Sequence, residues 1–416
     1  MDFARLCCES AESGFRPLLS ALEVALSRRP FLTALSTLAL VTSALATGAV
    51  PAGAAASPTG AAHRAARVCA TAPVGYAACA SRVVTDAAGK PIAHATPAGY
   101  GPSDIRSAYA LTGKSSGGRT VAIVDAYDDP TAESDLSVYR AQFGLTACTT
   151  ANGCFRKVNQ SGGSTPPRTN GGWAQEISLD LDMVSATCPD CHILLVEASS
   201  ASFANLGTAV NTAAGLGASA ISNSYGGSDS SALSAYNHPG IAVTASTGDA
   251  GYGVESPASF GTVVAVGGTS LTRAGTTRGW SESAWSGAGS GCSTLNAKPS
   301  WQTSATSCSR KANADVSAVA DPNTGVAVYD STSYKGARGW MVFGGTSVSS
   351  PIVGSVYALS GNTAGYPASY TWGHASGLFD VTSGSNGSCP TAVWCKAGVG
   401  WDGPTGLGTP NGTTAF

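Results

Sequence analysis

Five short runs, at 120–124, 193–196, 219–222, 241–244 and 262–266, decide what this chain can fold into. Each is built mainly from Val, Ile, Leu or Ala and lacks the polar alternation of a strand with one wet face. Such strands are buried on both faces, which requires a parallel sheet covered by helices. Helical spacings at 132–143 and 204–214 separate the runs. The expected fold is therefore α/β, with a mostly parallel central sheet flanked by helices. Reactive groups in such a sheet sit on loops beyond the carboxyl ends of the strands.

The amino-terminal 56 residues read as a leader. Ser27-Arg28-Arg29-Pro30-Phe31-Leu32 precedes an apolar run to about Ala46, and small residues follow to Ala54. A charged stretch, a short apolar stretch and an Ala-x-Ala-like end spell an export signal with a twin-arginine flavour. The run is shorter than the ~20 apolar residues a membrane span needs, so cleavage and a secreted product free of the membrane are expected. Residues 57–95 read as a short Ala-rich extension, and 96–416 as the globular domain.

Twelve cysteines fit export. Cys7 and Cys8 leave with the leader. The others form close couples, Cys69 with Cys79, Cys148 with Cys154, Cys188 with Cys191, Cys292 with Cys308 and Cys389 with Cys395, and disulfides between near neighbours are expected. Cys188-Pro-Asp-Cys191 also has the spacing of a redox pair or of half a zinc site. Net charge is −2 and charged residues make up 12%, with no basic block that would suit a nucleic acid. A monomer is expected.

Four stretches carry possible chemistry. In 343–351, Gly344-Gly345-Thr346-Ser347 leads into an apolar run through Pro351. Ser347 falls where a loop meets the first turn of a helix, a position that favours a nearby oxyanion, and Pro351 is expected in that first turn. A plain N-cap serine has the same pattern. In 171–184, Glu176 and Asp180 lie one helical turn apart, so like charges are stacked and one pKa is raised. Asp182 is a third acid nearby. Thr247-Gly248-Asp249-Ala250-Gly251 follows a strand, where a protonated Asp249 could donate to an oxyanion. Ser224, Tyr225 and Gly226 end another strand and offer an edge to an extended peptide.

None of the five histidines stands in a setting that would serve Ser347, so a carboxylate is the remaining base. Gly267-Gly268-Thr269-Ser270 repeats the Gly-Gly-Thr-Ser string without a helix start and is expected at a strand-to-turn exit. Gly113-Lys114-Ser115 lacks the first glycine of a phosphate loop. Near the carboxyl terminus, Asp380 and Asp402 could give side-chain oxygens to a hard cation, with carbonyls from Val381, Gly398 and Gly400. A Gly-rich turn with incidental acids has the same residues.

Taken in order, Glu176-x-x-x-Asp180, the Asp249 loop, Gly345-Thr346-Ser347-x-x-x-Pro351 and Asp380-Val381 with Gly398-x-Gly400-x-Asp402 resemble the sedolisin (serine-carboxyl peptidase) family, kumamolisin-like enzymes included. The resemblance runs from about Thr96 to the end. It implies a subtilisin-like fold, one calcium ion, and endopeptidase activity on polypeptides at acid pH. It further implies that Ser347 is the nucleophile, Glu176 the base, Asp180 its supporting carboxylate and Asp249 the oxyanion donor, with Asp125 and Asp182 extending the carboxylate network. One departure is that only about forty residues separate the expected leader from the domain, where the family carries a large pro-domain. The rival function is a catalytically silent secreted binding protein on the same scaffold.

Overall fold

The computed structural model describes residues 64–363 and 365–416, so the expected leader lies outside the described residues. Its central sheet runs, edge to edge, Trp280–Ala284, Val264–Arg273, Ala242–Ser246, Ala220–Asn223, Thr120–Ala126, His192–Ala198 and Phe155–Asn159, with Val316–Val319 branching from Val264–Arg273. Every pairing in it is parallel except that of the edge strand Trp280–Ala284. The unalternating runs are these strands: Val121 to Ala126 is buried residue by residue and pairs in unbroken register with Ile193 to Ala198.

Two helices bring the expected site residues together. Gly171–Thr187 and Thr346–Ser360 pack on each other and on the sheet, while Phe203–Gly215 packs on the same central strands and gives them their other cover. Asn170 caps the first of these, its side chain accepting from the Gly172 and Trp173 amides. Every residue from Gly172 to Thr187 is buried. This is a core helix, not an amphipathic one, so its acids are not a solvated face.

The stretch expected as an extension is woven into the domain. Arg64–Arg67 pairs with Arg82–Thr85, which pairs with Ala337–Gly344 and through it with Val326–Tyr334. Ala78–Cys79 pairs with Tyr225–Ser228, whose other edge holds Glu255–Ser256. Main-chain hydrogen bonds carry these additions, and short Ala-rich strands leave no side-chain period to read.

All five expected disulfides are present, Cys188–Cys191 among them, and the full burial of both its cysteines fits a structural bridge. Gly267 to Ser270 lies inside a strand rather than at its exit. The glycines are there because backbone and side chains close in: a Cβ on Gly267 would collide with the Pro404 carbonyl oxygen, and one on Gly268 would sit 2.6 Å from Ala320 Cβ. No described helix is long and apolar enough to cross a membrane.

Candidate active site

Ser347 is the second residue of the Thr346–Ser360 helix, as its sequence setting implied. Gly345 caps that helix at φ 98°. A Cβ there would collide with the Ala80 carbonyl oxygen and lie 2.6 Å from Asp249 Oδ2, so glycine is required twice over. Pro351 falls in the second turn, not the first. Its missing N–H leaves the Ser347 carbonyl without an intrahelical donor. The Ser224 hydroxyl fills that gap, donating to the Ser347 carbonyl at 3.3 Å.

Glu176 and Asp180 face this turn from the neighbouring helix. All four of their carboxyl oxygens are buried without a hydrogen-bond partner. Burial pushes Glu176 up to about 8, against the pull of the Ser347 and Ser81 hydroxyls beside it. Burial, then the charges of Asp125 and Glu176, push Asp180 well above the usual carboxylate range. Asp125 joins them, raised by burial, Glu176 and Glu197. Asp182 does not: it turns away and accepts the Tyr329 amide at 2.9 Å. The Ser347 hydroxyl donates to the Ser224 carbonyl at 3.0 Å. Rotation about its Cα–Cβ bond is the movement that would turn this proton toward Glu176.

Asp249 closes the other side. Its Oδ1 accepts from the Thr346 amide at 2.8 Å and the Thr346 hydroxyl at 3.0 Å. Its Oδ2 is buried with no hydrogen-bond partner, though Arg82 Nε stands 3.6 Å away. Burial raises its pKa to about 6, opposed by the Thr346 hydrogen bonds and the charges of Arg82 and Arg67. A protonated Oδ2 is therefore a free donor below that pH, and it borders the oxygen of a peptide group, since the Ala80 carbonyl crowds the same α-carbon of Gly345. The Ser347 amide donates to that carbonyl at 2.8 Å. Among the described histidines, His94, His192 and His374 are exposed, and His238 bonds Asn211. None reaches this group.

Ser224, Tyr225 and Gly226 stand at the edge where a peptide was expected. The Ser224 carbonyl accepts the Ala80 amide at 3.1 Å, Cys79 lies opposite Tyr225 and Ala78 opposite Gly226. The Tyr225 side chain turns inward, its hydroxyl donating to Asn223 at 2.7 Å. Glu255 is a residue the sequence reading missed. It lines a cavity of about 310 Å³ together with Ala80, Gly226, Gly227, Val254 and Asp249. Its pKa is raised to about 7 by burial and by Asp249, with Arg67 opposing. A clue lies in two bare glycines: a Cβ on Gly248 would sit 2.6 Å from the Glu255 carboxyl carbon, and one on Gly226 would meet its oxygen.

Burial raises the pKa of Asp402 to about 7, opposed by hydrogen bonds from Thr405 and Gly398, and the charge of nearby Asp380 adds a smaller push. Carboxylate oxygens are the ligand type that suits a hard cation. The groups of the two glycines that reach the carboxylates are amides: Gly400 donates to Asp380 Oδ2 at 2.9 Å and Gly398 to Asp402 Oδ2 at 3.2 Å. Val381 is buried beside them. No group of three or more His, Cys, Asp or Glu side chains suited to a metal occurs among the described residues.

A parallel sheet with a serine at a helix start and buried acids on the adjoining helix defines a subtilisin-like scaffold. Residues 160–384 match the Subtilase family. The chain is 30% identical over 367 residues to kumamolisin of Bacillus sp. (strain MN-32), covering 76% of this chain and 63% of that protein. It is 32% identical over 177 residues to sedolisin of Pseudomonas sp. (strain 101), covering 38% of this chain and 29% of that one. The solved structure of Pseudomonas sedolisin, a serine-carboxyl proteinase complexed with two molecules of pseudo-iodotyrostatin, superposes with a TM-score of 0.62 at 25% identity, covering 76% of this chain and 96% of that one. The chain belongs to the subtilase family, and it is similar to kumamolisin and to sedolisin. It spans 63% of the length of kumamolisin.

Proposed function

We propose that this protein is a secreted serine-carboxyl endopeptidase that cleaves polypeptides at acid pH. One observation supports the reading: the Ser347 hydroxyl lies beside Glu176, while the Ser347 amide and Asp249 Oδ2 border one peptide carbonyl in the same buried site. The Ser347 hydroxyl attacks that carbonyl. Glu176 takes its proton and returns it to the leaving amine, and Asp180 shares the proton and holds Glu176 in place. The Ser347 amide and protonated Asp249 hold the oxygen as it gains charge. Ser224, Tyr225 and Gly226 align the substrate main chain by strand addition. Asp380 and Asp402, with carbonyls of Val381, Gly398 and Gly400, would hold a calcium ion that ties the carboxyl-terminal loops. The disulfides support export.

The test is hydrolysis of a peptide between about pH 3 and 8 by the wild type, Ser347→Ala and Glu176→Gln. Both variants are expected to lose activity by at least about a thousandfold while melting like the wild type. Equal activity in Ser347→Ala would remove the nucleophile. Full activity in Glu176→Gln would remove the carboxylate base. A wild type that binds peptides and cuts none would be a binding protein.

A further inference from the structure

Asp249 can act on an oxyanion only when its hydrogen sits on the oxygen that faces it. A neutral carboxylic acid offers two oxygens for one hydrogen. Oδ2 is the one beside the peptide carbonyl: a Cβ on Gly345 would lie 2.6 Å from Oδ2 and collide with the Ala80 carbonyl oxygen. Oδ1 faces Thr346 and accepts both the Thr346 amide at 2.8 Å and the Thr346 hydroxyl at 3.0 Å. Thr346 is fully buried, and Asp249 nearly so.

Two donors on Oδ1 leave no place for a hydrogen there. A hydrogen on Oδ1 would meet those of the amide and the hydroxyl head-on and break a buried hydrogen bond. The amide cannot turn away. The hydroxyl is held as well, because the Gly248 amide donates to its oxygen at 3.1 Å, which leaves its own hydrogen for Oδ1. Oδ2 is buried with no hydrogen-bond partner. Four other titratable groups face Asp249. Arg82, whose Nε stands 3.6 Å from Oδ2, and Arg67 favour its ionised form. Glu176 and Glu255 feel its charge. None of these four is a hydrogen-bond partner of either carboxyl oxygen, so the choice between the oxygens falls to Thr346.

We propose that Thr346 is a positioning residue for the oxyanion donor: its hydroxyl and amide select the form of neutral Asp249 that carries its hydrogen on Oδ2, where the substrate oxygen gains charge. The proposal rests on the peptidase reading above. Thr346 acts through Asp249 and touches no reacting atom. Without its hydroxyl the hydrogen divides between Oδ1 and Oδ2, and the share on Oδ1 stabilises nothing. The hydroxyl has a second effect. Burial raises the pKa of Asp249, and the Thr346 bonds oppose it by favouring the ionised carboxyl. Losing one of them lets Asp249 keep its proton to higher pH. A single substitution thus lowers turnover and widens the pH range over which it persists.

Peptide hydrolysis is measured from about pH 3 to 8 in the wild type, Thr346→Val, Thr346→Ser, and Asp249→Asn with and without Thr346→Val. In Thr346→Val, kcat is expected to fall about tenfold at unchanged KM, and the limb on which kcat/KM falls with rising pH should move up by about one pH unit. Thr346→Ser keeps the hydroxyl and should keep the wild-type profile. In Asp249→Asn, which has no proton to lose at this atom, Thr346→Val should move no limb. Structural damage would lower kcat without moving the limb upward. An unchanged kcat in Thr346→Val, a limb that stays or moves to lower pH, or a Thr346→Ser as impaired as Thr346→Val would overturn the proposal and leave the peptidase reading standing. Loss of the fold in Thr346→Val and in Thr346→Ala alike would make the hydroxyl structural and overturn it as well. No hydrolysis by the wild type at any pH would overturn both readings.

Discussion

Pro351 stands four residues after Ser347 in one helix, and the carbonyl it leaves unbonded is taken by the Ser224 hydroxyl at 3.3 Å. The same Ser224 accepts the Ser347 hydroxyl on its carbonyl at 3.0 Å. A proline in mid-helix normally costs stability. Here it couples the expected nucleophile to the strand proposed to align the substrate. Pro351→Ala restores a backbone donor that competes with Ser224. The melting temperature is expected to rise while kcat falls about tenfold, roughly 1.4 kcal/mol of barrier. Thermal melts and steady-state kinetics check the opposed signs.

Asp249 must hold a proton to donate. Its pKa is raised to about 6, chiefly by burial. As pH rises through that value the donor becomes an acceptor facing a developing oxyanion, so kcat/KM should fall on this limb. Asp249→Asn keeps a donor at the same atom and cannot ionise. The variant should retain part of the activity and lose this limb of the kcat/KM profile; a limb unchanged in the variant would assign it to another group.

Burial also sets how stability varies with pH. Asp129 is raised to about 6, Glu197 to about 8 and Asp330 to about 8, each mainly by burial. Their folded values exceed unfolded values of about 4, so the fold binds more protons than the unfolded chain between those limits. The stabilisation is full below about pH 4 and is lost as pH climbs toward about 8. Melting temperature measured on Ser347→Ala, which cannot digest itself under the proposed mechanism, should be highest in acid and fall steadily toward neutrality.

Glu255 sits on the wall of the cavity that the small Ala80 side chain leaves unfilled. Its pKa is raised to about 7, first by burial. Above that pH it is a buried charge seeking a cation; below it, a neutral donor. Peptides with Lys or Arg at the residue before the cleaved bond should therefore gain over apolar ones as pH rises through about 7. Glu255→Gln should erase this gain, about tenfold in kcat/KM, while leaving acid-pH turnover of apolar peptides intact. Profiling cleavage of a mixed peptide library at two pH values reads the shift.

Two carboxylates held together at Asp380 and Asp402 repel unless a cation or proton lies between them. Chelation at neutral pH should lower the melting temperature, and added calcium should restore it. Asp402→Asn should melt lower and respond to neither; an unchanged wild-type melt under chelation would remove the site.

The sheet was legible because its strands are buried on both faces, and 120–124 or 193–196 can be little else. Glu176 and Asp180 were legible by their spacing, and Ser347 by its glycines. What stayed hidden is what backbone alone decides. Ala78 and Cys79 join a sheet through amides and carbonyls, so their side chains announce nothing. Gly267 and Gly268 look like a turn but answer to Pro404 and Ala320, far along the chain. Glu255 is one acid among many until Gly226 and Gly248 show whose space it fills.

The sheet that joins Arg82–Thr85 to Ala337–Gly344 also imposes an order in time. A ribosome delivers residues 64–85 first, Glu176 next, Asp249 later and Ser347 last. The strand that ends three residues before Ser347 finds its partner in a segment already synthesised, and that partner leads straight into Ala80. By the time Ser347 is synthesised, Glu176, Asp180, Ser224 and Asp249 have already left the ribosome.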